Sequence, residues 1–354
     1  MLDFFLEYGL FLAKAVTIVA AILIVIAAGA MVATKTRREH EGHIQVDYLN
    51  EELDMMTDAL KESIYDKALL KKERKEEKKK EKAEAKALAK QIKKGVDVEK
   101  EHKKRIFVLD FDGDIKASEV ETLREEITAV LGLASERDEV MVRLESAGGM
   151  VHSYGLAASQ LQRIKNRNIP LTVCVDRVAA SGGYMMACIA DRIIAAPFAV
   201  LGSIGVVAQI PNFHRLLKKN DIDVELMTAG EYKRTLTMFG ENTDKDREKF
   251  IEDLDDTHLL FKEFVSEHRA KVDIEDVANG DVWFGTRALD KALVDEIGTS
   301  DEYLLNACQD ADVYHINYLE KKSLQERFGL SISGVVDRVL LTWWDRIQKT
   351  RYFS

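Results

Sequence analysis

The sequence predicts an α/β domain built on a largely parallel, buried sheet, preceded by an N-terminal transmembrane helix and a charged helical linker. Three observations carry this prediction. From about Arg105, apolar runs of strand length alternate with amphipathic helical patterns, which is typical of parallel α/β folds. Near the N-terminus, residues 15–34 carry no charge. Between these regions the chain is rich in Lys and Glu.

Composition excludes several classes of protein. Of the 354 residues, 46% are hydrophobic and 32% charged, which is typical of globular chains of about two domains rather than disordered or collagen-like ones. The formal charge of −10 averages opposite signs, because residues 71–105 include 16 basic and 8 acidic residues, leaving −18 for the rest. Cys174, Cys188 and Cys308 form no CxxC or Cys/His cluster, so we expect free thiols and neither a metal nor a cofactor.

Residues 15–34 predict a membrane anchor. A helix of 20 residues spans about 30 Å, the thickness of a bilayer's hydrocarbon core. A cleaved signal peptide has a shorter apolar core of about 7–15 residues, so the length favours an anchor although Ala28-Gly29-Ala30 resembles a cleavage site. A buried soluble helix fits less well, because the segment is apolar on every face.

The residues that flank this span bear on its orientation. Lys35, Arg37 and Arg38 follow it, whereas only Lys14 and the α-amino group precede it. The positive-inside rule therefore places the bulk of the chain in the cytoplasm.

The Lys/Glu/Ala-rich run from Lys71 predicts a solvated helix that acts as a semi-rigid spacer. Its interspersed Glu residues and lack of aromatic residues argue against nucleic-acid binding. Anionic lipid headgroups are a better-supported partner for the basic run than nucleic acid, because the predicted membrane span is nearby.

Within the α/β region, two strand-to-helix loops draw attention. Strands are predicted at residues 106–111, 139–144, 171–175 and 192–195, and helices at 118–133 and 154–165. Parallel sheets bind ligands at the carboxyl ends of their strands. The first loop carries Gly148 and Gly149, and the second places Ser181 near a helix N-terminus. Taken alone, a Gly-Gly pair indicates a turn and a serine before a helix indicates a cap.

A serine nucleophile needs a base. His152 is the one histidine near either loop, and no Ser/His/Asp spacing is evident, although such triads are assembled in space. Lysine is the other base known for serine, provided that it is desolvated. Lys233, in the turn 230–234 after a strand-like stretch at 224–227, is a candidate. By itself it reads as a solvated loop lysine.

At these loops the chain resembles the signal peptide peptidase A family of serine proteases. The matching motifs are SAGGMV at 146–151, AASGGY at 179–184, GSIGV at 202–206, GEYKR at 230–234 and DVWFGT at 281–286, with Ala288, Leu289 and Gly298. They keep the family's order over about residues 106–305. Ala147 departs from the pattern, because proline is common there, and so does the long charged linker.

The resemblance implies a ClpP/crotonase-like fold and a Ser/Lys dyad. Ser181 corresponds to the nucleophile and Lys233 to the general base, and Ser203 matches a hydroxyl that orients the lysine. Gly148 and Gly149 match the oxyanion loop, and the amide of Gly182 is a second donor. Members of the family form rings in which neighbouring subunits complete or enclose each site, so we expect a homo-oligomer.

These inferences divide the chain into four parts. They are the anchor at 1–34, the linker at 35–105, the peptidase domain at 106–310 and a C-terminal extension at 311–354. In the extension, one helical stripe is apolar, formed by Ile332, Val336, Val339, Trp343 and Ile347. Such a stripe packs on protein more often than on a membrane interface.

The function expected from the sequence is that of a serine endopeptidase in the bacterial inner membrane, acting on signal-peptide remnants or unfolded polypeptides. The flanking charges favour the cytoplasmic side for its catalytic domain, and the family resemblance favours the outer side. Two alternatives stay open. A crotonase-like acyl-CoA enzyme would need a catalytic carboxylate and a CoA site, and a non-catalytic membrane scaffold would keep the fold alone.

Overall fold

The computed structural model describes residues 42–66 and 103–319, with isolated positions between 68 and 86. The predicted membrane span and the apolar stripe near the C-terminus lie outside the described residues. Within the described residues, no helix has the length and apolar character that a bilayer crossing requires. By its internal contacts the chain divides into Ile44–Asn317, described below, and a unit formed by the two terminal segments.

The elements follow one another along the chain as strands, mostly alternating with helices. They are β1 (His43–Tyr48), α1 (Leu49–Ile64), β2 (Arg105–Gly113), α2 (Val120–Leu131), β3 (Glu139–Ser146), α3 (Val151–Lys165), β4 (Leu171–Val175), β5 (Val178–Ala180), α4 (Gly182–Ala187), β6 (Arg192–Ala195), β7 (Val200–Gly202), α5 (His214–Lys219), α6 (Asp244–His268), α7 (Ile274–Val277), β8 (Val282–Phe284), α8 (Gly285–Asp290), β9 (Glu296–Ile297), α9 (Ser300–Asp310) and β10 (Asp312–Leu319).

The main sheet has the strand order β1-β10-β2-β3-β4-β6-β9. The pairs from β10 to β9 are parallel. All five residues of β4 are buried, as expected for a parallel strand covered on both faces. Side chains such as Leu109 and Val142 face one large core with α2, α3, α4 and α6, and Val108 and Met141 face a smaller core with α9.

A second, shorter layer branches from the end of β3. Ser146, the last residue of β3, pairs with Ala179 of β5, and β5 in turn runs parallel to β7. The antiparallel strand β8 completes this layer. The sheet therefore forks where β3 ends, and both loops singled out in the sequence leave from this fork.

The longest described helix, α6, begins at a capping box. Thr243 Oγ1 accepts a hydrogen bond from the Asp246 amide, and the Asp246 side chain accepts one from the Thr243 amide. Such reciprocal bonds satisfy two donors that a helix start otherwise leaves unpaired. Phe261 and Val265 are buried from this helix. The capping box thus fixes where the helix that borders the site begins.

The folded unit extends past the 106–310 limits that the sequence suggests. On one side, β10 pairs with β2, and β1 lies beside β10. On the other, Asn50 of α1 donates to the carbonyls of Cys308 and Ala311, both at 2.9 Å, and accepts from the Val313 amide at 2.8 Å. The first part of the predicted linker is therefore structured. The Lys/Glu run connects α1 to β2 in the order of the chain.

The four predicted strands and two predicted helices are confirmed to within three residues at each end. The strand-like stretch at 224–227 was predicted wrongly, because it is irregular and Met227 is 85% exposed. It belongs to a segment, residues 207–239, that we call the lysine arm. Apart from α5 this arm has no helix or strand, and it exposes apolar side chains such as Val207, at 91%.

Candidate active site

Three strand ends meet at one edge of the forked sheet. Ser146 lies opposite Ala179, and Ala180 lies opposite Gly202, so β3, β5 and β7 end in register. Parallel strands present their carboxyl ends at the same edge. The loops that follow these strands carry Gly148, Ser181 and Ser203, and the fold therefore brings these predicted site residues together.

Ser181 has an unusual backbone conformation. Its φ of 51° and ψ of −118° lie outside the regions that ordinary residues prefer, and such strain typically costs about 1–3 kcal/mol. The backbone is held on both sides, because the Ser181 amide donates to Gly202 O at 2.8 Å and its carbonyl accepts from the Met185 amide at 3.0 Å. The strain is thus maintained by the surrounding structure.

The side chain of Ser181 does not serve as a helix cap. Although Ser181 occupies the N-cap position of α4, it makes no capping hydrogen bond. A serine that only begins a helix adopts an extended backbone and bonds an amide of the first turn. Ser181 is half-buried, and its hydroxyl makes no such capping bond. This is expected for a hydroxyl that is kept available for chemistry.

The loop between β3 and α3 passes directly over the start of α4. An ideal Cβ on Gly148 would lie 2.7 Å from the Gly182 amide nitrogen and 2.8 Å from Ser181 Cβ, and Gly148 has a φ of +86°. Gly149 is equally constrained, since a Cβ there would lie 2.1 Å from Ile115 O. No other residue type fits at these two positions without moving the backbone, so the glycines permit the close approach to Ser181.

The three predicted oxyanion donors differ in their hydrogen bonds. The Gly148 amide donates to Ser146 Oγ at 3.0 Å. Among residues 103–319, no acceptor takes a hydrogen bond from the amides of Gly149 or Gly182. These two amides are therefore the ones available to a developing negative charge, while the bond of Gly148 holds the loop in place.

A chain of buried hydroxyl groups supports this loop from below. Ser146 Oγ lies 2.5 Å from Tyr154 Oη and 3.2 Å from Gly113 O, and the Tyr154 hydroxyl donates to Asp114 O at 2.7 Å. Burial raises the pKa of the Tyr154 phenol, and the carboxylates of Asp114 and Asp112 raise it further against the opposing effect of the bond to Ser146. Tyr154 therefore stays protonated, and the two hydroxyl groups connect the Gly148 amide with the carbonyls of Gly113 and Asp114.

An apolar groove of about 290 Å³ begins at Ser181. Helix α3 contributes Val151, Gly155 and Ser159 to it, and α6 contributes Thr257, Leu260, Phe261 and Phe264. Gly149, Gly182, Met185, Gly205 and Val206 complete the lining. The nucleophile candidate and the two available amides thus lie at a groove that suits an apolar side chain.

Ser203 and Lys233 occupy different surroundings. Ser203 follows Gly202, has a φ of 50° and donates from its amide to Asp281 O at 2.7 Å. His258 of α6 contacts the next residue along, with its Nε2 3.2 Å from Ile204 O. These contacts fix the loop that follows β7.

Lys233 is exposed in the lysine arm and does not line the groove. Its neighbours attach that part of the arm to α6, because Glu231 pairs with Lys245 at 2.7 Å and Lys249 Nζ lies 5.5 Å from the centre of the Tyr232 ring. In the described part of the chain, no hydrogen bond joins Lys233 Nζ to Ser181 Oγ. The single subunit therefore gathers every predicted site residue except Lys233.

Sequence reasoning missed Tyr154 and the wall formed by α6. Tyr154 lies in the first turn of α3, directly after the Gly-Gly loop, and this position in the sequence could have indicated a role near the loop. The pairing of its hydroxyl with Ser146, however, is visible only in three dimensions. Within residues 42–66 and 103–319, no group of three or more His, Cys, Asp or Glu side chains is arranged to hold a metal ion.

The chain belongs to peptidase family S49. The family model described as Peptidase family S49 N-terminal matches residues 3–161, and that described as Peptidase family S49 matches residues 163–314. A Haemophilus influenzae protein named "Probable protease SohB" is 51% identical over 328 residues, covering 92% of each chain. A protein of the same name from Buchnera aphidicola subsp. Acyrthosiphon pisum is 57% identical over 242 residues, covering 68% of this chain and 72% of that one.

Among solved structures, a mutant of the 1510-N membrane-bound stomatin-specific protease bound to a substrate peptide is similar with a TM-score of 0.40 and 14% identity, covering 66% of this chain and 99% of that one. The family matches confirm the resemblance inferred from the sequence motifs. The chain is thus a peptidase of family S49.

Replacing Tyr154 by Phe tests the support of the loop. We expect kcat to fall roughly tenfold with KM nearly unchanged, less than the roughly 10²–10³-fold cost of deleting an oxyanion donor, because the loop loosens but keeps its amides. Steady-state kinetics on a peptide substrate measure both constants. Tyr184→Phe is the matched control, since its buried hydroxyl donates to Leu293 O at 2.9 Å, away from the loop. Equal kinetics for the two variants would contradict the role of Tyr154.

Proposed function

We propose that this chain is a membrane-anchored serine endopeptidase in which Ser181 is the nucleophile and Lys233 the general base. The observation that carries the proposal is the strained, uncapped Ser181 beside the two available amides of Gly149 and Gly182. A site of this kind needs a nucleophile, an oxyanion site and a pocket for the substrate. The groove that begins at Ser181 supplies the third component.

We assign the fold to the ClpP/crotonase-like class. Support comes from the parallel strands β2, β3, β4 and β6 and from the shorter layer of β5, β7 and β8 that branches from β3. In this arrangement the branch point carries the glycine loop and the serine on adjacent strand ends. The assignment agrees with the family resemblance of the sequence motifs.

The proposed reaction uses the site as follows. Neutral Lys233 accepts the proton of Ser181 Oγ as that oxygen bonds to the scissile carbonyl carbon. The amides of Gly149 and Gly182 stabilise the oxyanion, which then collapses and breaks the C–N bond while the lysinium gives its proton to the leaving amine. Water, activated by the same lysine, attacks the acyl-enzyme, releases the acid and restores Ser181. Ser203 would orient the ammonium group during these transfers.

We propose that a neighbouring subunit completes each site. A lysine acts as base only when it is desolvated, and Lys233 is exposed in the described subunit. The lysine arm around it also exposes many apolar side chains, among them Val207, Ile222 and Met227, which is typical of a surface that another protein covers. A homo-oligomer in which one subunit's arm covers the next subunit's groove would bury both.

The groove favours substrates with apolar side chains in an extended, accessible backbone. Unfolded polypeptides and signal-peptide remnants both offer these, whereas a folded protein buries them. The anchor at residues 15–34 would hold the enzyme in the bacterial inner membrane, where signal-peptide remnants remain after secretion. Among the described residues, no Asp or Glu side chain lines the groove, which argues against the crotonase-like alternative with its catalytic carboxylate.

The dyad is tested by substitution of its two members. Ser181→Ala and Lys233→Ala should each slow the degradation of an unfolded protein such as casein by at least about 10³-fold, because nucleophile and base act as one unit. A serine-directed phosphonylating probe should label the parent at Ser181. The matched controls Ser266→Ala and Lys262→Ala lie on α6 outside the groove and should keep the parent's rate. Parental activity in Ser181→Ala would exclude Ser181 as the nucleophile, whereas a parent that degrades no substrate would favour the non-catalytic scaffold.

The shared site is tested by mixing the two inactive variants. If each site takes its serine and its lysine from different subunits, reassembled mixtures should recover up to about a quarter of parental activity, because half of the sites receive an intact serine and half of those an intact lysine. Activity is measured after dissociation and joint reassembly. No recovery, in mixtures shown by native mass spectrometry to be mixed oligomers, would place both residues in one subunit.

The anchor is tested by charged residues in its centre. Each lysine at the middle of a membrane helix costs about 2.5–3.5 kcal/mol, so the double variant Leu23→Lys/Ile26→Lys should leave the membrane fraction in an alkaline wash. The parent and a Leu23→Ala/Ile26→Ala control should stay in the pellet. Retention of the double lysine variant would argue against a spanning helix. Protease treatment of intact spheroplasts shows the side, because a cytoplasmic domain is cleaved only after lysis.

A further inference from the structure

Gly155 lies in the wall of the groove, in the interior of α3. Val151 stands one turn before it and Ser159 one turn after it, and all three residues line the groove. A side chain at position 155 would therefore project between two residues that already face the groove. On the opposite wall, α6 presents Leu260 and Phe264.

Neither the backbone nor the packing of the protein requires glycine at this position. Gly155 has no positive φ, and its ideal Cβ would meet no described atom within 4 Å, the backbone of its own helix apart. The other glycines at the site behave differently. A Cβ on Gly149 would lie 2.1 Å from Ile115 O, and one on Gly182 would lie 2.4 Å from the Tyr154 ring.

Glycine is nevertheless an unfavourable residue in a helix interior, because it loses more conformational entropy on folding than alanine does. Position 155 therefore carries a residue that weakens α3 and that no described neighbour in the same subunit needs. The space that this glycine leaves open belongs to the groove beside Ser181. What Gly155 provides is therefore this open space in the groove.

We propose that Gly155 sets the size of the substrate side chain that the groove accepts, and that it makes the protein cleave after large apolar residues. This inference rests on the proposed function. We assign this side chain to the residue whose carbonyl Ser181 attacks, because Ser181 itself lines the groove. Gly155 thus determines specificity and takes no part in the proton transfers.

The volume of the groove agrees with a large occupant. An apolar cavity of about 150 Å³ is enough to bind benzene. The groove, at about 290 Å³, therefore has room for a phenylalanine or leucine side chain. A valine at position 155 would fill part of this space between Val151 and Ser159, and an alanine would fill less of it.

The test compares cleavage of peptides that differ only in the residue before the scissile bond, with Ala, Leu or Phe there. The full-length parent should cleave the Phe and Leu peptides faster than the Ala peptide. Gly155→Val should lower kcat/KM for the Phe peptide at least roughly tenfold, because a misfit of one methylene in an apolar pocket already costs about 10–200-fold and valine adds three carbons, while the Ala peptide changes less than about threefold. Gly155→Ala should fall between parent and Gly155→Val.

Stability provides an independent measurement. Because alanine is the better helix former, Gly155→Ala should raise the melting temperature by roughly 2 °C or leave it unchanged, so a loss of Phe cleavage is not a loss of folding. Leu156→Val is the matched control, since it places a β-branched residue on the same helix outside the groove. Its Phe-to-Ala ratio should equal that of the parent.

Binding separates this inference from the proposed function. In the Ser181→Ala background, calorimetry of the same peptides should show that Gly155→Val weakens the Phe peptide at least tenfold and the Ala peptide hardly at all. If Ser181→Ala degrades substrate like the parent, the proposed function fails, but the binding measurements still test the role of Gly155 in the groove. Unchanged Phe-to-Ala ratios in both position-155 variants, or an equal loss on all peptides, would overturn the inference.

Discussion

The site depends on the register of three short parallel strands. Ser146 faces Ala179 and Ala180 faces Gly202, so β3, β5 and β7 end side by side. A slip of one residue in any pair would turn alternate side chains to the opposite face and carry the loops apart. The hydrogen bond from the Ser181 amide to Gly202 O belongs to this same register. Every other feature of the site, from the glycine loop to the groove, is built around that alignment.

The strained backbone conformation of Ser181 is held by its hydrogen bonds. A conformation that costs about 1–3 kcal/mol persists only where surrounding bonds determine it, and here the bonds to Gly202 and Met185 do so. Relaxing to an ordinary cap conformation would let Ser181 Oγ accept a hydrogen bond from the amide of Gly183 or Tyr184. The strain therefore keeps the hydroxyl of Ser181 free of that bond.

The sequence predicted the central strands well because parallel strands buried on both faces read as continuous apolar runs. It missed β5, β7 and β8, since three residues are too few to show a period, and it missed β1 and α1 beside the charged run. The stretch at 224–227 has strand composition but no neighbouring strand to pair with, and composition cannot reveal that. The motif resemblance located Gly148, Ser181 and Ser203, whereas the hydroxyl chain through Tyr154 and the open position at Gly155 depend on distances between helices.

The hydrogen bonds of Asn50 make α1 part of the folded unit, and β1 lies beside β10 in the same sheet. The charged run that follows α1 therefore connects two elements of one folded unit, α1 and β2, and is an insertion between them rather than a linker ahead of the domain. An insertion of this kind costs the fold little, because each doubling of a loop's length adds only about 0.6 kcal/mol of closure entropy.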